Sequence, residues 1–164
     1  MRETMGKILS REVLKKEIDR LRGEGKKIAF TNGCFDILHV GHVRYLRDAR
    51  KTGDVLVLAL NSDASVRAIK GDKRPLVPEG ERADVASALE SVDYVTLFAE
   101  LTPLELIEYL QPDVIVKGGD WAEENVVGRD AVKKWGGSVV IVPEIPGAST
   151  TNIVEKIMSV YGEI

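Results

Sequence analysis

Runs of uninterrupted apolar residues, each followed by a stretch with helical periodicity, constrain this chain more than any other feature. Val55-Leu56-Val57-Leu58-Ala59-Leu60 and Val139-Val140-Ile141-Val142 are the clearest. A strand with one solvated face alternates apolar and polar residues, so an unbroken run marks a strand covered on both faces, as in a parallel sheet. Strands are predicted at 28–32, 54–60, 93–98, 113–117 and 138–142, with helices at 10–22, 41–51, 63–69, 79–91, 103–110, 128–135 and 150–160. Ser10 can cap the first helix, Val13, Leu14, Ile18 and Leu21 share one of its faces, and Gly23-Glu24-Gly25 stops it. Gly53 and Pro112 end later helices. The series predicts an α/β fold: a single doubly wound parallel sheet of about five strands with flanking helices. The N-terminal helix and lead-in occupy 1–26 and the main domain 27–164.

Bulk properties narrow the class. At 164 residues, 44% hydrophobic and 30% charged, the chain suits one soluble domain. A net charge of −3, with no run of basic residues, disfavours nucleic acid and membrane surfaces as partners. Cys34 is the one cysteine, which rules out an internal disulfide, and no apolar stretch reaches membrane-spanning length. Residues 1–10 lack the apolar core of a signal peptide, so a cytoplasmic location is expected.

Ligands of doubly wound sheets bind beyond the carboxyl ends of the strands. The first such loop holds both histidines of the chain, in Gly33-Cys34-Phe35-Asp36-Ile37-Leu38-His39-Val40-Gly41-His42. Gly41 lets phosphate oxygens approach the main chain where a helix begins, and free N–H groups with the helix dipole favour anions there. Imidazoles at this point can stabilise charge developing on an α-phosphate. A zinc site is the weaker alternative, for want of a third ligand nearby.

The other loops admit two readings each. Asn61-Ser62-Asp63 is a helix cap or a polar contact to a ligand. Lys70-Gly71-Asp72-Lys73-Arg74-Pro75 is a solvated charge cluster or a triphosphate clamp, with Arg82 one turn into the next helix. In Lys117-Gly118-Gly119-Asp120-Trp121 the glycines permit close ligand approach, Asp120 can meet a sugar hydroxyl or a metal ion, and Trp121 covers the pocket or fills core. Ser149-Thr150-Thr151-Asn152 caps the last helix and offers hydroxyls to a phosphate.

In this order the loops resemble the cytidylyltransferase-like nucleotidyltransferase superfamily. His-x-Gly-His at 39–42 specifies only the superfamily. Phe30 to His42, Val66-Arg67-Ala68-Ile69-Lys70-Gly71 with Arg74-Pro75, Val116-Lys117-Gly118-Gly119-Asp120 and Ser149-Thr150-Thr151-Asn152-Ile153 are similar to the adenylyltransferase domain of bacterial ADP-heptose synthases. The resemblance runs from about Ser10 to Ile157. It implies a Rossmann-like nucleotidyltransferase fold and transfer of AMP from ATP to a D-glycero-D-manno-heptose 1-phosphate, yielding ADP-heptose for lipopolysaccharide or other surface glycans. It implies Mg²⁺ carried mainly by the triphosphate, with no metal ligand assigned in the protein. A separate heptose kinase and phosphatase would supply the substrate, and a homo-oligomer is compatible with it.

The site expected on this basis has His39, His42 and Lys70 as catalytic groups. Thr31, Asn32, Gly33, Phe35, Asp36, Gly41, Arg74, Lys117, Gly118, Ser149, Thr150 and Thr151 would bind nucleotide. Asn61, Asp63, Arg82, Gly119, Asp120 and Trp121 would meet the acceptor. Asp36 and Asp120 would orient groups or the Mg²⁺ shell. Glycerol-phosphate relatives carry an Arg in the last loop, whereas Glu144-Ile145-Pro146-Gly147-Ala148-Ser149 has none. That departure argues against the glycerol-phosphate branch and leaves Lys70 and Arg74 as the triphosphate cations.

Overall fold

The apolar runs form five parallel strands: β1 (Ile28–Gly33), β2 (Val55–Asn61), β3 (Tyr94–Phe98), β4 (Val114–Gly118) and β5 (Ser138–Val142). The computed structural model describes residues 4–119, 121–143 and 146–162. Among these, seven α-helices accompany the strands: α1 (Arg11–Gly23), α2 (Val40–Arg50), α3 (Asp63–Lys70), α4 (Glu79–Ser87), α5 (Leu104–Leu110), α6 (Arg129–Lys134) and α7 (Thr150–Tyr161). The strand order is β3-β2-β1-β4-β5, and every neighbouring pair is parallel. Every residue of β2 is buried, as its unbroken apolar run requires.

Helices cover both faces. On one, Leu14, Ile18 and Leu21 of α1 and Leu106, Ile107 and Leu110 of α5 pack against Ile28, Phe30, Val57 and Ile115. On the other, Leu46 and Ala49 of α2 and Ala83 and Ala86 of α4 meet Leu56, Leu58, Leu60 and Val116. Leu14, Ile18 and Leu21 of α1 are therefore covered by the chain's own sheet, whereas Val13, expected on the same face, is exposed; Ser10 caps the helix by accepting the Val13 N–H at 3.3 Å. The chain leaves β1 through α2 on one face and reaches β4 only after β3, and the next crossover, α6, packs on the opposite face. The loops after β1 and β4 thus diverge, and a crevice opens between them.

Two elements differ from expectation. The fourth helix, predicted to reach residue 91, ends at Ser87. The N–H groups of Leu89 and Val92 instead close tight turns to Ala86 and Leu89, which delivers Val92 into the core ahead of β3. The N-terminal segment also does more than lead in: Ile8 pairs with Val95 and covers part of the β3 edge.

Candidate active site

A cavity of about 600 Å³ occupies the crevice. Its floor is formed by Asn32 at the end of β1 and Lys117-Gly118 at the end of β4. Its walls are Phe35, His39, Gly41, His42 and Tyr45 on one side and Lys70, Arg74, Trp121, Pro143 and Ala148 to Thr151 around the rest. Lys70, Arg74 and Lys117 are joined there by the N-termini of α2 and α7, and no carboxylate lies among the described lining residues. A chain of net charge −3 thus concentrates positive potential in one concave place.

His39 is the N-cap of α2, and its Nδ1 accepts the Gly41 N–H at 3.1 Å. An accepting Nδ1 places the proton of the neutral ring on Nε2, which makes that nitrogen a donor. The His42 ring stacks on His39 at 3.8 Å between centroids, and Phe35 flanks it at 4.7 Å. Burial, then the neighbouring His39 and Lys70, push the His42 pKa down to about 4. The Ile37 carbonyl works against this shift, but its geometry leaves the buried Nδ1 without a hydrogen bond. Burial also lowers His39. Both rings are therefore neutral at pH 7 in the free protein, and His39 keeps its Nε2–H as a donor. Gly41 makes the packing possible, because a Cβ there would lie 2.8 Å from the His39 ring and 3.0 Å from the Ala148 Cβ.

Lys117 stands at the floor. Its Nζ donates to the Asn32 side-chain oxygen at 2.6 Å and lies 5.9 Å from the Trp121 ring centroid. Burial brings its pKa down to about 8. Above it, Ser149 caps α7 by accepting the Asn152 N–H at 3.0 Å, and the Thr150 hydroxyl reaches the Ile37 carbonyl at 3.5 Å. The first turn of α7 is thereby held against the loop that carries the histidines.

Several residues expected at the site are engaged elsewhere. The Thr31 hydroxyl is buried against the Tyr45 hydroxyl at 2.7 Å, away from the cavity. Gly33 does not line the cavity either; it leaves room for the Phe35 ring, which a Cβ would meet at 2.9 Å. Asp36 does not line the cavity. Its carboxylate accepts the Leu76 and Val77 N–H groups and the Arg74 guanidinium at 3.1 Å, so it fixes the loop that presents Arg74. These donors outweigh burial and hold its pKa below the usual value.

The expected acceptor contacts need the largest correction. Arg82 is buried, and its guanidinium donates to the carbonyls of Val77, Cys34 and Asn61 and to the Asp63 carboxylate, at 2.6 to 2.9 Å. The Asn61 amide donates to the Ser65 hydroxyl at 2.9 Å. Asn61, Asp63 and Arg82 therefore form a clamp around the buried guanidinium rather than an acceptor surface. The Gly119 N–H is bonded to the Val142 carbonyl at 2.8 Å and ties β4 to β5 instead of lining the cavity. Asp120 and Glu144 lie outside the described residues. Burial raises the Cys34 pKa, consistent with a packing role for the thiol.

Tyr45, Pro143 and Ala148 line the cavity without having been expected there, and Tyr45 is the polar one of the three. Its hydroxyl donates to the Val116 carbonyl at 3.0 Å and joins α2 to β1 and β4. The signal was its spacing: it lies three residues beyond His42 and so on the same helical face.

Residues 30–156 match the family described as cytidylyltransferase-like. Curated relatives include the bifunctional protein HldE of Geobacter metallireducens, 60% identical over 146 residues that make up 89% of this chain and 30% of that protein. The protein of the same name from Trichlorobacter lovleyi is 54% identical over 98% of this chain and 33% of its own length. The chain spans about a third of the length of these curated relatives. Among solved structures, the lipopolysaccharide core biosynthesis protein from Thermoplasma volcanium aligns with a TM-score of 0.61 at 31% identity, covering 74% of this chain and 98% of that one. Pantothenate synthetase from Thermus thermophilus shares the fold, with a TM-score of 0.61 at 19% identity, over 90% of this chain and 67% of that one.

Proposed function

This chain belongs to the cytidylyltransferase-like family, and from that premise we propose that it transfers AMP from ATP to a D-glycero-D-manno-heptose 1-phosphate, releasing pyrophosphate and forming ADP-heptose for lipopolysaccharide or other surface glycans. The observation that carries this reading is the cavity itself: three cations, two helix N-termini and a stacked pair of neutral imidazoles, with no carboxylate among the described lining residues. Such a surface suits polyphosphate. High identity to the HldE proteins supports the choice of acceptor.

In this scheme an oxygen of the acceptor phosphate, already anionic at neutral pH, attacks the α-phosphorus of ATP. The new O–P bond forms as the bond from the α-phosphorus to the bridging oxygen breaks, and pyrophosphate carries the electron pair away. His39 and His42 donate hydrogen bonds to the α-phosphate as it becomes five-coordinate. Lys70, Arg74 and the first turn of α7 neutralise the departing pyrophosphate. Mg²⁺ fits as a triphosphate-borne ion, because the described wall provides cations and donors but no carboxylates; it would supply further charge neutralisation on the leaving group. Kinase and phosphatase activities would provide the heptose 1-phosphate. No helix among the described residues is long and apolar enough to cross a membrane, and the supply of ATP favours the cytoplasm.

Pyrophosphate release, measured with each nucleoside triphosphate, Mg²⁺ and a panel of phosphorylated acceptors, tests the proposal. Turnover confined to ATP with heptose 1-phosphate is expected. Turnover with CTP and a polyol phosphate, or nucleotide binding without turnover on any acceptor, would overturn it.

A further inference from the structure

The reaction proposed above crowds two anions, a triphosphate and a phosphate monoester, around one phosphorus atom. In-line displacement needs them on opposite sides of that atom, so the cavity needs two separate places for negative charge. Lys70 and Arg74 reach it from the segment that follows β2, and the hydroxyls of Ser149, Thr150 and Thr151 stand at the start of α7. Lys117 differs from these in position and surroundings. It lies at the floor, at the end of β4, and among the described residues its ammonium is held only by oxygens of Asn32, the side-chain amide at 2.6 Å and the carbonyl at 3.4 Å. A half-buried cation with neutral partners gains from an incoming anion.

Trp121 adds a second, independent feature. Its indole is 50% exposed although it lines the cavity, and it stands within 5.9 Å of the Lys117 ammonium. An open aromatic surface beside a half-buried cation matches a molecule whose phosphate is attached directly to a ring with an apolar C–H face. A sugar 1-phosphate has that form, whereas a polyol phosphate offers no ring to cover the indole.

We propose that Lys117 and Trp121 form the acceptor subsite, Lys117 binding the phosphate of a sugar 1-phosphate and Trp121 covering its ring, so that this pair selects cyclic over open-chain acceptors. This rests on the reading of the chain as a sugar-phosphate adenylyltransferase and moves Lys117 from the nucleotide to the acceptor.

Calorimetry separates the two subsites. A non-hydrolysable ATP analogue is titrated first, then D-glycero-D-manno-heptose 1-phosphate is titrated into the analogue-saturated protein. Lys117→Met is expected to bind the analogue within about threefold of the unaltered protein and the sugar phosphate on the order of 10- to 100-fold more weakly. Trp121→Ala, at a half-exposed position that folding tolerates, is expected to weaken the sugar phosphate about tenfold while leaving inorganic phosphate binding unchanged. Unchanged sugar phosphate binding in either variant overturns the subsite, as does an equal loss of analogue binding in Lys117→Met. If Lys117→Met does not fold, Lys117→Gln takes its place with the same expected losses, and Lys117→Arg, which keeps the charge, is expected to retain sugar phosphate binding. Unaltered protein that binds the analogue but not heptose 1-phosphate refutes the functional reading instead. Inorganic phosphate then tests Lys117 alone: binding lost in Lys117→Met upholds the anion site, and binding retained overturns it.

Discussion

Replacing Arg82 with Met separates a structural clamp from an acceptor contact. The Arg82 side chain is fully buried and donates four hydrogen bonds, to three backbone carbonyls and to Asp63. Methionine keeps much of the apolar stem, so little cavity is created. The carbonyls of Val77, Cys34 and Asn61 lose a charged donor, and such bonds contribute roughly 1.5–3 kcal/mol each. They are not additive, and the Asp63 side chain, 25% exposed, regains water. A net loss of about 3–5 kcal/mol follows, the usual result of removing one partner of a buried charged network. Against a domain stability of about 5–15 kcal/mol this leaves a folded but weakened protein. Urea unfolding followed by far-ultraviolet circular dichroism should show the loss, and thermal melting should fall by on the order of 10 °C. In steady-state assays of the folded fraction, kcat and both KM values should move together. A stability change under about 1 kcal/mol, accompanied by a selective rise in the acceptor KM, would refute the clamp and restore Arg82 to the acceptor surface.

Three further outcomes are expected. His42→Ala should fold and lose about 10²–10³ in turnover, the usual consequence of removing one transition-state donor; near-normal kcat would contradict the mechanism. The same variant tests the burial of the imidazole. Because the folded pKa is about 4 against an ordinary 6.5, the unfolded chain takes up a proton that the folded chain refuses between those values. Stability should therefore fall as pH drops from 6.5 towards 4, by about 2 kcal/mol after allowance for partial exposure, and that share of the slope should vanish in His42→Ala urea titrations. Gly41→Ala would press a methyl group to 2.8 Å from the His39 ring. Turnover should drop at least about tenfold through displacement of that ring, while circular dichroism reports an intact fold.

Legibility in the sequence followed the range of the interaction. Strand and helix alternation was readable because burial on both faces of a parallel sheet leaves unbroken apolar runs, and the five strands came within a residue of their predicted ends. His39, His42, Lys70, Arg74, Lys117 and Ser149 to Thr151 line one cavity because the doubly wound topology gathers the segments beyond the strand ends at one sheet edge. The N-caps at Ser10, Ser62 and Ser149 were equally local.

Which polar side chains face the ligand depends on contacts between residues far apart in the chain. Asp36 and Arg82 look in the sequence like any polar residues near a loop. Asp36 is turned inward by amides 40 and 41 positions away, and Arg82 by carbonyls 21 and 48 positions away. Buried backbone groups must find partners, and only the assembled loops reveal that these side chains meet that demand. The sequence thus determined the layered sheet, the caps and the strand ends where phosphate chemistry gathers. The tertiary structure decided which charges were already satisfied by the protein and which, above all Lys117 at the cavity floor, remain available to a ligand.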